Sequence, residues 1–467
     1  MIGEDVLYLT VAELGERIRA RRLSPVELTE GYLERIRRVA PRLNAFATVT
    51  PEVALAQARE AEREIARDRY RGPLHGIPYG AKDLLATVGI PTTWGAKPTR
   101  NQMFDKDATV VRKLREAGAV LLGKLAMVEF AGCLGYRFAD ASLAGPGRNP
   151  WDTDRWTGGS SSGSGAAVSA GLVGFAIGTE TWGSILCPSA FCGLTGIRPT
   201  YGLVSRAGGM VGAYTLDKVG PLAHSVSDCR TVLAAIAGVD PRDPSCATEK
   251  TKLDRGAGKQ WRNLHAALVP LDWKKVGEPE VKSAFDAAVA ELSAAGVRID
   301  DTPLPDVPAT EVSGLLIGME ALAAFDPFLA DGRVKQLVDD MAPRQLELGQ
   351  IVTGPDVTKA LRIREAIQRE MREFFMRFDV IVTPNFMSVA PPVEQDLNES
   401  LPYGDPVGAL AAACGLPGLA LPAGRGKAGM PVSFQVVAAP FDDATLLDLG
   451  DMYQARTQFH RAHPALA

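Results

Sequence analysis

A chain of 467 residues carrying 51 basic and 55 acidic side chains, with a net charge of −4 and no long run of either sign, has no electrostatic footprint for nucleic acid or an anionic membrane. Hydrophobic residues are 46% and charged residues 23%, the balance of a globular enzyme rather than of a disordered chain. The opening MIGEDVLYLT lacks the basic and apolar parts of a signal peptide, and the longest mostly apolar stretch, residues 166–178, is too short for a bilayer span, so a cytoplasmic protein is expected.

Residues 8–39 read as helical, with Thr10-Val-Ala-Glu13 and Ser24-Pro-Val-Glu27 as capping boxes and apolar residues at three- and four-residue spacing. A third helix is predicted over 52–67. From residue 73 to 130 short apolar runs alternate with helical patterns: His75-Gly-Ile-Pro-Tyr-Gly-Ala-Lys82 is turn-rich, 110–117 is helical and 119–122 is a buried strand. Residues 145–222 are dense in Gly, Ser, Thr and Pro, yet Val168, Leu172, Phe175, Ile177, Phe191 and Leu194 lie among them, so this region folds around tight turns. The stretch 166–178 within it reads as a buried helix and turn. A strand over 265–269, a helix over 279–295 and a strand over 297–299 restart the alternation, with proline at the first helical position. Residues 310–350 are predicted to form a helical cover, and a helix over 357–378 leads to a strand at 380–382. The pattern predicts one α/β domain spanning 1–467, divided into a helical N-terminal section (1–70), a core (71–230) and a remainder (231–467) that completes the sheet and its covering helices.

The six cysteines (Cys133, Cys187, Cys192, Cys229, Cys246, Cys414) show no CxxC spacing and read as reduced, mostly buried thiols. The five histidines also lack ligand spacing, so no metal and no cofactor is expected. The segment Gly158-Gly-Ser-Ser-Ser-Gly-Ser164 admits three readings: a flexible turn, a phosphate cradle, for which neither GxxxxGK[ST] nor GxGxxG is present, or a catalytic loop whose glycines let backbone approach a reacting group. The next segment, Gly178-Thr-Glu-Thr-Trp-Gly-Ser184-Ile, places a serine at a strand-to-turn junction where successive N–H groups can converge on an oxyanion. Neither segment holds a histidine to act as base. Lys82, after an apolar turn-rich run, is the candidate: desolvation lowers a lysine's pKa and lets it accept protons.

Together the three segments resemble the amidase signature family. Its Gly-Gly-Ser-Ser-Gly-Gly-Ser hallmark stands here as residues 158–164, its Gly-Thr-Asp-Thr-Gly-Gly-Ser-Ile nucleophile segment as residues 178–185, and its lysine segment as Gly76-Ile-Pro-Tyr-Gly-Ala-Lys82-Asp83. Ser160 and Ser184 are 24 positions apart, the spacing associated with the family's two catalytic serines. Residues 191–206, 216–221, 415–418 and 429–435 continue the likeness, which runs from about residue 10 to 455.

The resemblance implies a single large domain built on a mixed central β-sheet with helices on both faces. It implies a Ser-Ser-Lys hydrolase of amide bonds working through an acyl-enzyme: Ser184 as nucleophile, Ser160 as bridge after a cis peptide bond, Lys82 as base, and backbone N–H groups of Thr181, Trp182, Gly183 and Ser184 as the oxyanion hole. Ser161, Ser162 and Ser164 are alternatives for the relay, with backbone bonding as their ordinary role. Asp83 either tunes Lys82 or serves a turn or cap, and Arg364 either binds a substrate carboxylate, as a basic residue near there does in some relatives, or, as expected here, sits in a surface ion pair.

Departures from the family pattern bear on the substrate. Trp182 replaces a glycine, and Leu186 and Cys187 follow Ser184-Ile185 where many relatives have Ser-Ile-Arg. With Tyr136, these residues are the pocket candidates, and they point to a small neutral, fairly apolar amide, anilide or carbamate (urethane). The alternative is an amidotransferase subunit that releases ammonia from glutamine for a tRNA-dependent partner. Lys124-Leu-Ala-Met-Val-Glu-Phe130 lacks the Asn and Asp of that subunit's Lys-Thr-Asn-Met-Asp-Glu-Phe, which counts against it. The expected partner is a small-molecule substrate, not nucleic acid or membrane, and the expected state is a monomer or homodimer.

Overall fold

A computed structural model describes residues 2–247, 251–401 and 404–466. The strands are β1 (Phe46–Val49), β2 (Pro78–Lys82), β3 (Val120–Leu125), β4 (Arg148–Asn149), β5 (Asp152–Trp156), β6 (Phe175–Glu180), β7 (Thr195–Arg198), β8 (Lys218–Ala223), β9 (His265–Leu268), β10 (Arg298–Asp301), β11 (Val380–Pro384), β12 (Gly418–Arg425) and β13 (Pro431–Ala438). All but β4 and β5, which form a separate ribbon, join one mixed sheet in the order β1-β3-β2-β6-β8-β7-β12-β13-β11-β9-β10. Parallel pairs (β3/β2, β2/β6, β11/β9, β9/β10) flank an antiparallel centre from β6 to β11. Successive strand residues face opposite sides, so the complete burial of β2, β3, β8, β11 and β13 shows that both faces are covered.

The N-terminal section begins with two helices, one from each predicted cap. Val11–Arg19 starts at Thr10 with a reciprocal capping box to Glu13. Pro25–Leu43 starts at Ser24, whose hydroxyl accepts from Val26 and Glu27, but Glu27 does not reach back; the Ser24 hydroxyl donates to Glu62 instead. The Pro51–Ala66, Thr109–Glu116 and Pro279–Ala294 helices fall within a residue or two of their predicted positions.

Two expectations are corrected. The run ending in Lys82 is the buried strand β2: Gly80 is there because a Cβ would lie 2.5 Å from the Leu125 side chain on β3. The apolar stretch after residue 166 is only partly helix; Ser162–Ser169 turns at Gly171 (φ 63°) and the chain enters the sheet as β6. Among the described residues no helix is long and apolar enough to cross a membrane. All six cysteines are free, four of them buried.

Candidate active site

β2 and β6 run parallel, with Ala81 beside Ile177, so the ends of both strands reach the same edge of the sheet. The β2 end carries Lys82. The β6 end leads through Glu180 into the turn of Ser184, and the loop before the Ser162–Ser169 helix brings Ser160 to Lys82.

Lys82 is fully buried, and its Nζ donates to Ser160 Oγ (2.8 Å), Thr179 Oγ1 (2.9 Å) and the Thr179 carbonyl (3.4 Å). Burial is the main cause that drives its pKa from 10.5 down to about 7, against the weaker pull of Cys133, Asp217 and Glu180. Asp83, its neighbour in sequence, points elsewhere: it pairs with Lys124 at 3.1 Å and accepts from Thr93. It belongs to the turn and not to the tuning of Lys82.

The Gly159–Ser160 peptide bond is cis. Of the neighbouring hydroxyls, Ser161 donates to the Thr179 carbonyl, Ser162 to the Ala126 carbonyl and Ser164 to the Ile177 carbonyl. Of these serines, only Ser160 presents its oxygen to the lysine.

Ser184 is buried at the floor of a cavity of about 430 Å³, with Gly159, Thr181, Trp182 and Gly183 around it. Among the described residues the amide N–H groups of Trp182, Gly183 and Ser184 meet no acceptor, and Gly183 takes the φ of 86° that the turn requires. Glu180 braces this turn from below. One carboxylate oxygen receives the N–H groups of Ile185 and Leu186, and the other meets the buried Arg198 at 2.6 Å.

Trp182, Cys187 and Tyr136 line the cavity. Trp182 also packs on backbone, since a Cβ on Gly408 would lie 2.3 Å from its indole nitrogen. Leu186 does not line it; the side chain turns under the loop into a small apolar cluster with Ile185, Leu222 and Ala420. Arg364 is not in a surface ion pair. It is half-buried, and donates to the Ala413 carbonyl and to Thr215.

The individual residues of the remaining wall were not named from sequence. Cys133, Trp156, Ile317, Phe386, Leu397 and Leu401 come from segments with no motif of their own. Among the described residues Asp405 is the wall's one carboxylate. Its Oδ1 accepts from Val407 N and Gln435, while Oδ2 is buried and unpartnered. Burial lifts its pKa to about 6, opposed by Arg198. Among the described residues no cluster of three or more His, Cys, Asp or Glu side chains is arranged to hold a metal ion.

A buried lysine bonded to one serine, with a second serine on a turn of free amides at the same edge of the sheet, fits a general class: an amide-cleaving enzyme. The chain belongs to the Amidase family, whose model matches residues 27–447. Over 99% of both chains it is 36% identical to the A-subunit of the glutamyl-tRNA(Gln) amidotransferase of Moorella thermoacetica. The peptide amidase of Stenotrophomonas maltophilia superposes with a TM-score of 0.83 at 31% identity, over 96% of this chain and 97% of that one. The corresponding A-subunit of the glutamyl-tRNA(Gln) amidotransferase of Thermotoga maritima superposes at 0.84 with 28% identity, over 99% and 98%. The chain is thus an enzyme acting on carbon–nitrogen bonds of amides.

Proposed function

We propose that Ser184 attacks the amide carbonyl to form an acyl-enzyme, with Lys82 as base and Ser160 passing protons between them. The observation that carries this is the uncharged-prone Lys82 with its 2.8 Å bond to Ser160 and no ion pair among the described residues. Ser184 gives its proton to Ser160 as Ser160 gives its own to Lys82, and the Ser184 oxygen bonds to the carbonyl carbon. The oxyanion takes N–H groups of the turn, from Thr181, Trp182, Gly183 and Ser184, each worth about 3 kcal/mol of transition-state stabilisation. The proton returns through Ser160 to the nitrogen as the C–N bond breaks, and water releases the acyl group.

The wall favours a small, fairly apolar amide, anilide or carbamate. Tyr136, Trp156, Trp182 and Phe386 supply aromatic surface, and among the described residues no lysine or arginine lines the cavity. The unpartnered Asp405 Oδ2 adds a preference for an N–H donor or a cationic group on the substrate. In this reading the chain works alone, as a monomer or homodimer.

The second reading is an amidotransferase subunit that releases ammonia from glutamine, and the names of the curated relatives favour it over the first. Asp405 can receive the α-ammonium of glutamine; its α-carboxylate meets no cation on this wall. The purified chain, assayed on anilide, aliphatic amide, carbamate and glutamine with Ser184→Ala as control, separates them. Turnover of an anilide or simple amide that disappears in Ser184→Ala supports the first reading. Ammonia release from glutamine alone overturns it in favour of the second, and turnover that survives in Ser184→Ala overturns the mechanism.

A further inference from the structure

Lys218 opens β8 and stands opposite Glu180, the last residue of β6. It is 2% exposed, and it donates to the Thr181 carbonyl, 3.1 Å away. The charged groups facing it are Glu180 and Asp217 on the acidic side and Arg198 and Arg364 on the basic side. The acids are already occupied: Glu180 holds Arg198, Ile185 N and Leu186 N, while Asp217 holds the Thr181 hydroxyl and the N–H groups of Gly212 and Ala213. Thr181 is therefore gripped twice, at its hydroxyl by Asp217 and at its carbonyl by Lys218.

That carbonyl shares a peptide unit with the Trp182 N–H. The unit is planar and trans, so its C=O and N–H point in opposite directions. Fixing the carbonyl toward Lys218 turns the N–H away from it. Drawing electron density toward the carbonyl oxygen also makes the N–H a stronger donor.

We propose that Lys218 is a positioning residue of the oxyanion turn: its ammonium, bonded to the Thr181 carbonyl, aims the Trp182 N–H at the developing oxyanion and strengthens it. The proposal rests on the reading of Ser184 as nucleophile. It gives Lys82 and Lys218 opposite requirements, since Lys82 acts when neutral and Lys218 when charged. Burial brings both down to about 7. The reactivity of Ser184 then rises with pH as Lys82 loses its proton and falls as Lys218 loses its own.

The test is the second-order rate of Ser184 labelling by a fluorophosphonate between pH 6 and 9. The Ser184 oxygen bonds to phosphorus, fluoride leaves, and the serine proton passes to Lys82, so no natural substrate is needed. Wild type is expected to give a bell-shaped profile. Lys218→Met, with its fold checked by circular dichroism and melting temperature, is expected to label about 10-fold more slowly or worse at the optimum, with the falling limb gone. Lys218→Arg keeps the charge at every pH, and is expected to restore the rate while still lacking the falling limb. A merely structural lysine would lower the melting temperature without changing the shape of the profile.

Wild-type rate and profile in folded Lys218→Met overturns the proposal, as does a falling limb that persists in Lys218→Arg. If Lys218→Met does not fold, the Lys218→Arg profile decides alone. Ser184→Ala run alongside isolates the underlying reading: labelling that persists there removes Ser184 as nucleophile, whatever Lys218 does.

Discussion

Lys82 and Lys124 are both fully buried lysines, and burial lowers the pKa of each, but only Lys124 has a carboxylate beside it. Asp83 makes the difference by turning toward Lys124. The cost of Lys82 can be read from linkage. Its folded pKa of about 7 lies below the unfolded 10.5, so between those values the unfolded chain holds a proton that the folded chain does not. Stability in wild type therefore rises with pH across that window, on the order of 1 kcal/mol per pH unit. Lys82→Met removes the titrating group while keeping a long apolar stem. It is expected to abolish amide turnover and yet to be more stable than wild type at pH 7, with the advantage shrinking toward pH 10. Urea unfolding at pH 7, 8.5 and 10 checks this, and a constant difference across the three would contradict it.

At the scale of elements, the loop that forms one wall of the cavity is locked to its cover by two carboxylates pointing in opposite directions. Glu129, at the start of the loop, accepts the Val338 N–H at 2.9 Å, and Asp339 accepts the Arg137 N–H at 2.7 Å. Between them Phe130 and Ala131 hold φ of 48° and 56°, left-handed values that non-glycine residues adopt only when the surroundings impose them. Arg137 in turn pairs with Asp396, next to Leu397 of the opposite wall. Burial raises Glu129 to about 7, with Asp339 and Asp140 adding repulsion. At neutral pH a glutamine therefore substitutes well, whereas an alanine leaves the Val338 N–H without its acceptor at a cost of about 1–3 kcal/mol. Glu129→Ala is expected to raise KM and to open residues 333–341 to limited proteolysis, while Glu129→Gln leaves both near wild type. Equal protease resistance in the two variants would show that the contact does not hold the cover.

This latch was not legible in the sequence, because it joins residues about 200 positions apart through backbone amides that any side chain would supply. The helices at 51–66, 109–116 and 279–294 were legible, because caps, prolines and apolar spacing are local signals. The strand β2 was not. Gly80 and Pro78 have the composition of a turn, and only the Leu125 side chain packing over Gly80 explains a glycine in that strand. The cover was read as helical, but its division into Ala309–Ala324, Asp326–Ala330 and Met341–Ile351 is set by tertiary contacts. In the site, Lys82, Ser160 and the turn of Ser184 could be located from motifs, whereas Asp405 lies in a turn with no pattern, and Leu186 faces away from the cavity for reasons of packing alone.

On the scale of the whole molecule, the two ends of the chain meet over the sheet. Tyr8 stacks on His463 at 4.1 Å and meets the edge of His224 at 6.0 Å, while Arg461 pairs with Glu13 of the first long helix. Tyr8 also receives a bond from the buried Arg35, so the N-terminal section is tied to the C-terminal tail through one aromatic ring. Three of the five histidines lie at this junction. Burial lowers His224 to about 4, reinforced by His463 and His460, and its Nε2 is buried without a partner. The folded value lies below the unfolded 6.5, so stability from this group is complete above pH 6.5 and is lost as pH falls toward 4. His224→Leu removes the titration and the unpaired nitrogen while keeping an apolar side chain of similar reach. It is expected to match or slightly exceed wild-type stability at pH 8 and to exceed it by a further 1–2 kcal/mol, on the order of one pKa unit or more, at pH 5. Thermal melting at the two pH values measures the difference of differences, so the many other groups that titrate in this range cancel. A gap between wild type and His224→Leu that does not widen from pH 8 to pH 5 would mean that the junction opens to water and lets His224 take up its proton without unfolding.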